Sequence, residues 1–188
     1  TSIFHFYYQG GKYYQTDGTE ITGSLPIATS SLAKVYDGSS VSGWIWDIAI
    51  DATGKPVIVY ATFPTTSDHR YNYARWTGSA WETHEICAAG GYLYSPEVNY
   101  SGGVYLDHNN PSIVYLSKVV SGQWEIFKYV TADGGATWAA TAFTSSSTVK
   151  NIRPVTIRDH PASYALLWLA GAYNSYTNYN LTIKASGG

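Results

Sequence analysis

The chain has 188 residues, enough for one domain with a sizeable core and short for two. Its formal net charge of −2 and its charged content of 13% exclude the basic surface that nucleic acid or an anionic membrane would need, and no apolar run approaches the roughly 20 residues of a membrane span. The 18 Tyr, 7 Trp and 18 Gly favour short aromatic strands joined by tight turns over long helices.

The first predicted element is a pair of aromatic runs around a Gly-Gly turn, IFHFYYQGGKYYQTDGTEI. We interpret it as the outer half of a repeating unit over about residues 1–22. The stretch that follows, residues 23–40, is the longest irregular one in the chain, and it predicts a surface loop between units.

Three fuller units follow at about residues 41–88, 96–146 and 150–186. Their central segments are IAIDATGKPVIVYATF, VYLDHNNPSIVYLSKV and VTIRDHPASYALLWLA. Each has an apolar strand, an Asp, a polar turn, a Pro and a second apolar strand, and the marker residues Asp51, Asp107 and Asp159 recur at intervals of 56 and 52 residues. This period predicts an all-β domain over residues 1–188, a β-propeller with about three and a half blades of four antiparallel strands.

One turn in the third unit carries a more specific pattern. Residues 131–138 read TADGGATW, which resembles the Asp-box, S/T-x-D-x-G-x-T-W, of sialidase-type propellers. In those families the motif joins the third and fourth strands of a blade, away from the active site. The resemblance therefore implies a fold and not sialidase activity.

A wider resemblance runs over roughly residues 36–180. The series WIWDIAID, KPVIVYA, RYNYARW, VYLDHNNPSIVYLS and WEIFKYVTADGGATW is similar to bacterial-neuraminidase-repeat proteins, a family that includes ulvan lyases and rhamnose–glucuronate lyases. Most members are seven-bladed. The chain begins at Thr1 and contains no Met, so we expect a fragment or processed product whose ring is completed by a missing N-terminal half or by a second chain.

This resemblance implies a secreted polysaccharide lyase that cleaves an acidic, uronate-containing polysaccharide by β-elimination. Such chemistry needs a cation on the carboxylate, a base for the C5 proton and an acid for the leaving oxygen. We predict Tyr60, Arg75 and His69 as catalytic residues and Tyr115 and Tyr73 as substrate-binding residues. Alternation places His69, Tyr73 and Arg75 on one strand face, whereas the repeated positions of Tyr60 and Tyr115 also suit simple packing.

Other polar residues fit structural roles at least as well. The repeated Asp51, Asp107 and Asp159 precede Asn, Gly or Pro and are interpreted as turn formers, and the same turns account for His108 and His160. The sequence has no strong metal-binding motif. We therefore expect no cofactor, with structural calcium left open.

Two other functions stay open. A glycoside hydrolase on the same fold would need a carboxylate pair, for which Asp47, Glu85 and Glu97 are candidates without a supporting motif. A non-catalytic carbohydrate-binding or assembly module also fits the low charge and the many tyrosines. A sialidase is least favoured, because the few arginines have no recognisable spacing.

Overall fold

The chain forms an all-β structure in a computed structural model that describes residues 1–23, 25–161 and 165–186. In this part of the chain, 15 strands form four antiparallel sheets, and the only helical element is the 3-10 turn Thr29–Ser31. The predicted fold class is confirmed. None of the described helical structure is long and apolar enough to cross a membrane.

The first two sheets have four strands each. The first contains β1 (Ile3–Gln9), β2 (Lys12–Gln15), β3 (Glu20–Ile21) and β4 (Ala33–Tyr36), in the order β3-β2-β1-β4. The second contains β5 (Gly43–Ile50), β6 (Pro56–Thr65), β7 (Asp68–Trp76) and β8 (Trp81–Gly90), in sequential order.

The third sheet has four strands and the fourth has three. The third contains β9 (Val104–Leu106), β10 (Ile113–Val120), β11 (Gln123–Val130) and β12 (Ala139–Ala142). The fourth contains β13 (Lys150–Thr156), β14 (Leu166–Ser175) and β15 (Asn178–Ala185). The second apolar strand predicted in VTIRDHPASYALLWLA corresponds to β14, which begins at Leu166; Ala162, Ser163 and Tyr164 of that segment lie outside the described residues.

The predicted loop at residues 23–40 contains a strand that sequence patterning missed. Strand β4 pairs antiparallel with β1, with Ile3 opposite Tyr36 and His5 opposite Ala33. The first unit is therefore a four-stranded sheet rather than the outer half of one. A strand of four residues has little periodicity to detect, and its partner lies about 30 residues earlier in the chain. Ser24, in the same stretch, lies outside the described residues.

Strand β6 explains why the central strands are apolar on both faces. Val57 and Val59 pack toward the third sheet, in a cluster that includes Leu116. Ile58 and Tyr60 point the other way and pack against the first sheet. A strand covered by sheets on both sides reads as a continuous apolar run, and burying its side chains is the main stabilising term.

The first strands of the last three sheets, β5, β9 and β13, lie side by side, and we call them the inner strands. The Leu106 backbone N–H donates to Asp47 Oδ2 at 3.1 Å, and Thr156 Oγ1 donates to the Leu106 carbonyl at 2.7 Å. Sheets that stack face to face with their first strands adjacent are the blades of a β-propeller. The inner strands define an amino end, where they begin, and a carboxyl end, where they finish.

The turn at residues 131–138 lies at the carboxyl end and is closed by hydrogen bonds around one carboxylate. Asp133 Oδ1 accepts from Thr131 Oγ1 at 2.8 Å and from the Thr137 N–H at 2.9 Å, and Oδ2 accepts from Thr137 Oγ1 at 2.6 Å. Gly135 stands where a Cβ would lie 2.8 Å from the Tyr73 ring. The turn thus packs closely against the second sheet, and only glycine fits at position 135 because a side chain would clash with Tyr73.

These hydrogen bonds predict an acid-dependent loss of stability. They lower the pKa of Asp133 to about 2, from 3.8. A carboxyl whose pKa is lower in the folded state stabilises the protein fully above the unfolded pKa, and this contribution disappears as the pH falls from about 4 to about 2. We expect Asp133→Asn to reduce that part of the acid dependence in thermal melts. The control is Glu97→Gln, because the Glu97 side chain accepts no hydrogen bond from the described residues; an equal effect in both variants would contradict this account.

Candidate functional site at the carboxyl end of the inner strands

Two of the predicted catalytic residues are buried between sheets. Tyr60 is fully buried against the Tyr36 ring, with centroids 5.1 Å apart, and its Oη makes no regular hydrogen bond with the described residues, although the Thr83 hydroxyl approaches it. His69 is also fully buried, with Nδ1 2.7 Å from Ser101 Oγ and Nε2 3.0 Å from the Val98 carbonyl. Burial lowers the pKa of His69. Neither side chain can contact a polymer in this conformation.

The third predicted catalytic residue, Arg75, lies far from His69. Both are on β7, six residues apart, which corresponds to about 20 Å along a strand. Arg75 Nε and Nη2 donate to Glu82 Oε2 at 3.1 and 2.9 Å, beside the turn at residues 131–138. The predicted sharing of one strand face is confirmed, but that face packs on the third sheet. The structure therefore does not unite the catalytic trio.

The two predicted substrate-binding tyrosines are packing residues in this structure. Tyr73 meets the Trp138 ring edge-on, with centroids 5.3 Å apart, and is 3% exposed. Tyr115 is 3% exposed and meets Phe143 edge-on at 6.0 Å, in the layer between the third and fourth sheets. The position of Tyr115 matches the packing alternative that its repeated place in the sequence suggested.

A cavity of about 510 Å³ opens at the carboxyl end of the inner strands, and we call it the carboxyl-end cavity. Residues from all four sheets or their turns line it: His5, Phe6, Tyr7, Ile48, Ala49, Ile50, His108, Asn109, Arg158 and Asp159. A concave site of this size with several convergent polar groups is the usual form of a ligand site.

The centre of this site is a hydrogen-bonded pair, Asp47 and His108. His108 Nε2 lies 2.9 Å from Asp47 Oδ2, and the two side chains are only 11% and 9% exposed. A register shift in β5 between Ile45 and Asp47 turns the carboxylate toward the third sheet, where it also accepts the Leu106 N–H. Burial raises the pKa of Asp47, and the neighbouring His108 opposes this rise.

The pair has the arrangement of a general base and its orienting group. When Nε2 carries the proton that Asp47 accepts, the Nδ1 lone pair of His108 is available, and Nδ1 makes no hydrogen bond with the described residues. Tyr105 packs beside the imidazole, with centroids 5.9 Å apart. The geometry can therefore accept a proton from a bound ligand.

Arg158 supplies the cation. Its side chain is exposed in the carboxyl-end cavity and forms no ion pair with the part of the chain that the structure describes. Burial and the charge of Asp47 raise the pKa of Tyr105, and the positive charge of Arg158 opposes this rise. An unpaired guanidinium beside a histidine can hold a carboxylate through two parallel hydrogen bonds.

The next sheet repeats this pair in a form that serves the fold. His160 Nε2 lies 3.1 Å from Asp107 Oδ1, but that oxygen also accepts the Asn109 and Asn110 N–H groups, and His160 Nδ1 is 3.1 Å from the Pro161 carbonyl. Both ring nitrogens are thus engaged. The hydrogen bond to Asp107 raises the pKa of His160.

Sequence reasoning therefore missed Asp47, His108 and Arg158 as a site. The turn interpretation is confirmed for Asp51 and Asp107, whose side chains accept backbone N–H groups two residues later. His108 was available as a signal, because it follows a repeated Asp. Its partner could not be identified, since Asp47 lies 61 residues earlier and faces His108 only through the register shift in β5.

Comparisons with known proteins agree with this architecture. No curated protein matched the chain. Two solved structures match over 94% of this chain, at 14% identity and a TM-score of 0.69; one is described as a polysaccharide lyase of a new family, an ulvan lyase, and the other as this lyase bound to -[GlcA(1-4)Rha3S]-. The chain spans 40% of the length of each, and at this identity the similarity shows the fold alone. Residues 1–89 match the BNR repeat-containing family, so the resemblance found in the sequence is confirmed for a partial propeller.

Proposed function

We propose that this chain is part of a secreted polysaccharide lyase that cleaves a uronate-containing polymer by β-elimination in the carboxyl-end cavity. This cavity lies at the same end of the sheets as the turn at residues 131–138, so the proposed site differs from that of the sialidase-type propellers, in which the corresponding motif lies away from the active site. The observation that carries the proposal is the buried Asp47–His108 pair beside Arg158, which has no ion-pair partner among the residues that the structure describes. The fold similarity to an ulvan lyase supports the same class of reaction. Secretion is part of the proposal, because a polymer of this kind is too large to enter a cell.

Each residue has a distinct task in the proposed reaction. Arg158 holds the uronate carboxylate and stabilises the negative charge that spreads onto it. His108 Nδ1 accepts the C5 proton, while Asp47 keeps the imidazole oriented and stabilises its protonated form. The electrons of the broken C5–H bond form the C4–C5 double bond, and the C4–O4 bond breaks. Tyr7, which also lines the cavity, is our candidate for the acid that protonates O4.

The hydrolase alternative finds less support. Glu85 lies on β8 and accepts a hydrogen bond from Arg70 Nη1 at 3.0 Å. Asp47 lies on the inner strand β5 and is hydrogen-bonded to His108. Glu97 belongs to the loop at residues 91–103, at the amino end. These three carboxylates do not form the facing pair that hydrolysis of a glycosidic bond requires.

The test is an elimination assay on the longest natural polypeptide that carries this chain. Incubation with glucuronate polymers, including one with the -[GlcA(1-4)Rha3S]- repeat, should give ultraviolet absorbance from the new double bond, together with new reducing ends. New reducing ends without that absorbance would indicate hydrolysis. No change with any uronate polymer would reject the proposed lyase function.

A further inference from the structure

Arg153 stands out at the opposite, amino end of the inner strands. It lies in β13 at a register shift between Ile152 and Val155, with a φ of +56°. Residues other than Gly, Asn and Asp rarely adopt this left-handed conformation, and such strain concentrates at sites where a side chain must be aimed. The Arg153 backbone N–H donates to the Gly102 carbonyl at 2.7 Å, which fixes the bulge against the loop at residues 91–103.

The Arg153 guanidinium is clamped between two aromatic rings. Its Cζ atom lies 4.1 Å from the Tyr100 ring centroid and 4.8 Å from that of Trp46. Stacking of this kind holds the planar group in one orientation and partly removes it from water. The fixed orientation also determines which donors a ligand can reach: Nη2 is inaccessible to water, which leaves Nε and Nη1.

The edge of this guanidinium has no protein acceptor. In the described ranges, Arg153 donates no side-chain hydrogen bond and forms no ion pair, and its Nη2 is inaccessible to water. By contrast, Arg70 and Arg75 are each paired with carboxylates. Glu97, near Tyr94 in the same loop, is not paired with Arg153. A half-buried cation without a counter-charge is costly, and an anionic ligand would remove that cost.

Aromatic side chains continue outward from this cation. Tyr94 meets Tyr100 edge-on at 5.4 Å, and Trp44 lies 6.1 Å from the Tyr100 ring while remaining 49% exposed. Trp44 also borders a cavity of about 350 Å³ at this end. Lys150 Nζ anchors the loop by donating to the Leu93 carbonyl at 3.1 Å. The exposed Trp44 ring and the half-buried Tyr100 ring beside an oriented guanidinium suit the apolar face and the charged group of an acidic sugar.

We propose that Arg153, with Tyr100 and Trp44, forms a second binding site for a carboxylate-bearing saccharide at the amino end, separate from the carboxyl-end cavity. The guanidinium binds the carboxylate, and the aromatic rings pack against the sugar. The proposal assigns binding and no catalytic step to this site; His69, beneath the loop, uses both ring nitrogens in contacts with Ser101 and the Val98 carbonyl. The proposal does not depend on elimination at His108, since it concerns binding alone.

The experiment is calorimetric titration of the longest natural polypeptide with a glucuronate-containing tetrasaccharide, in the slowly turning-over His108→Gln background. The central variant is Arg153→Asn, because Asn tolerates positive φ and removes the charge without adding strain. We expect it to remove one binding event per chain, or to weaken that event at least tenfold. Arg158→Ala, the matched control at the other end, should leave the Arg153-dependent event unchanged.

Further arms test the ligand class and the folding of the variants. The methyl ester of the saccharide should lose the Arg153-dependent event, and rhamnose 3-sulfate should compete poorly; equal competition by the sulfate would overturn the carboxylate assignment. Tyr100→Leu provides a second variant if Arg153→Asn melts early, and it should weaken the same event. Unchanged binding in a folded variant at either position would overturn the site and leave Arg153 as a packing residue. Failure of the elimination assay with this event intact would reject only the proposed lyase function.

Discussion

Replacing His108 with Gln should lower the rate of elimination on a uronate polymer by about 10²–10⁴-fold, the usual contribution of a general base. Gln can still hydrogen-bond to Asp47, so the turn should stay folded, but it cannot accept the C5 proton. The effect should appear in kcat more than in KM, because Arg158 would still bind the carboxylate. The measurement is the initial rate of double-bond formation, with circular dichroism to verify the fold.

The matched control for this prediction is His160→Gln. His160 occupies the equivalent turn one sheet later and also contacts an Asp, at 3.1 Å, but both of its ring nitrogens are engaged. The His160→Gln variant should keep an elimination rate within about threefold of the parent protein, because a group that does not touch the substrate contributes little to transition-state binding. Equal losses in the two variants would mean that these histidines act only through folding.

The largest effect on stability is expected for Tyr71→Phe. Tyr71 is fully buried, and its Oη donates to the Ser117 carbonyl at 2.8 Å and accepts the Gly103 N–H at 2.9 Å, which joins the second sheet to the third. Removing the hydroxyl leaves a buried donor and acceptor without partners, at a cost of about 1–3 kcal/mol each. We expect the free energy of unfolding to fall by about 2–6 kcal/mol, measured by denaturant titration.

Tyr60→Phe is the matched control, since Tyr60 is equally buried but its hydroxyl makes no regular hydrogen bond with the described residues. Its loss should change the free energy of unfolding by less than about 1 kcal/mol. The same variant tests the catalytic role predicted from the sequence, because a packing tyrosine should leave elimination unchanged. A small effect of Tyr71→Phe beside a large one of Tyr60→Phe would contradict the packing described here.

The sheets could be predicted from the sequence because the turn and strand patterns that form them are local and recur along the chain. An Asp followed by a polar turn, a Pro and an apolar strand marks each of the last three units. The strands PVIVYATF and PSIVYLSKV are apolar on both faces because sheets cover both sides. Strand β4 escaped detection, since it depends on pairing with the distant Ile3–His5 segment. Long-range pairing leaves little trace in a short stretch.

The candidate site was harder to predict for the same reason. Tyr60, Arg75 and His69 lie on strands, but strand position alone does not tell whether a side chain faces a cavity or a neighbouring sheet. In the structure Tyr60 and His69 are buried, and Arg75 is paired with Glu82. Their catalytic roles therefore stay predictions, which activity measurements on variants would test. The Asp47–His108 pair joins the inner strand β5 to the turn after β9, and only the stacking of the sheets brings it together.

A crystal structure of the His108→Gln variant with a bound glucuronate oligosaccharide would test the central claim most directly. It should place a uronate carboxylate within hydrogen-bonding distance of Arg158, with C5 of that sugar facing residue 108 and its O4 toward Tyr7. An oligosaccharide bound elsewhere on the protein, with the carboxyl-end cavity left empty, would contradict the claim that this cavity is the catalytic site.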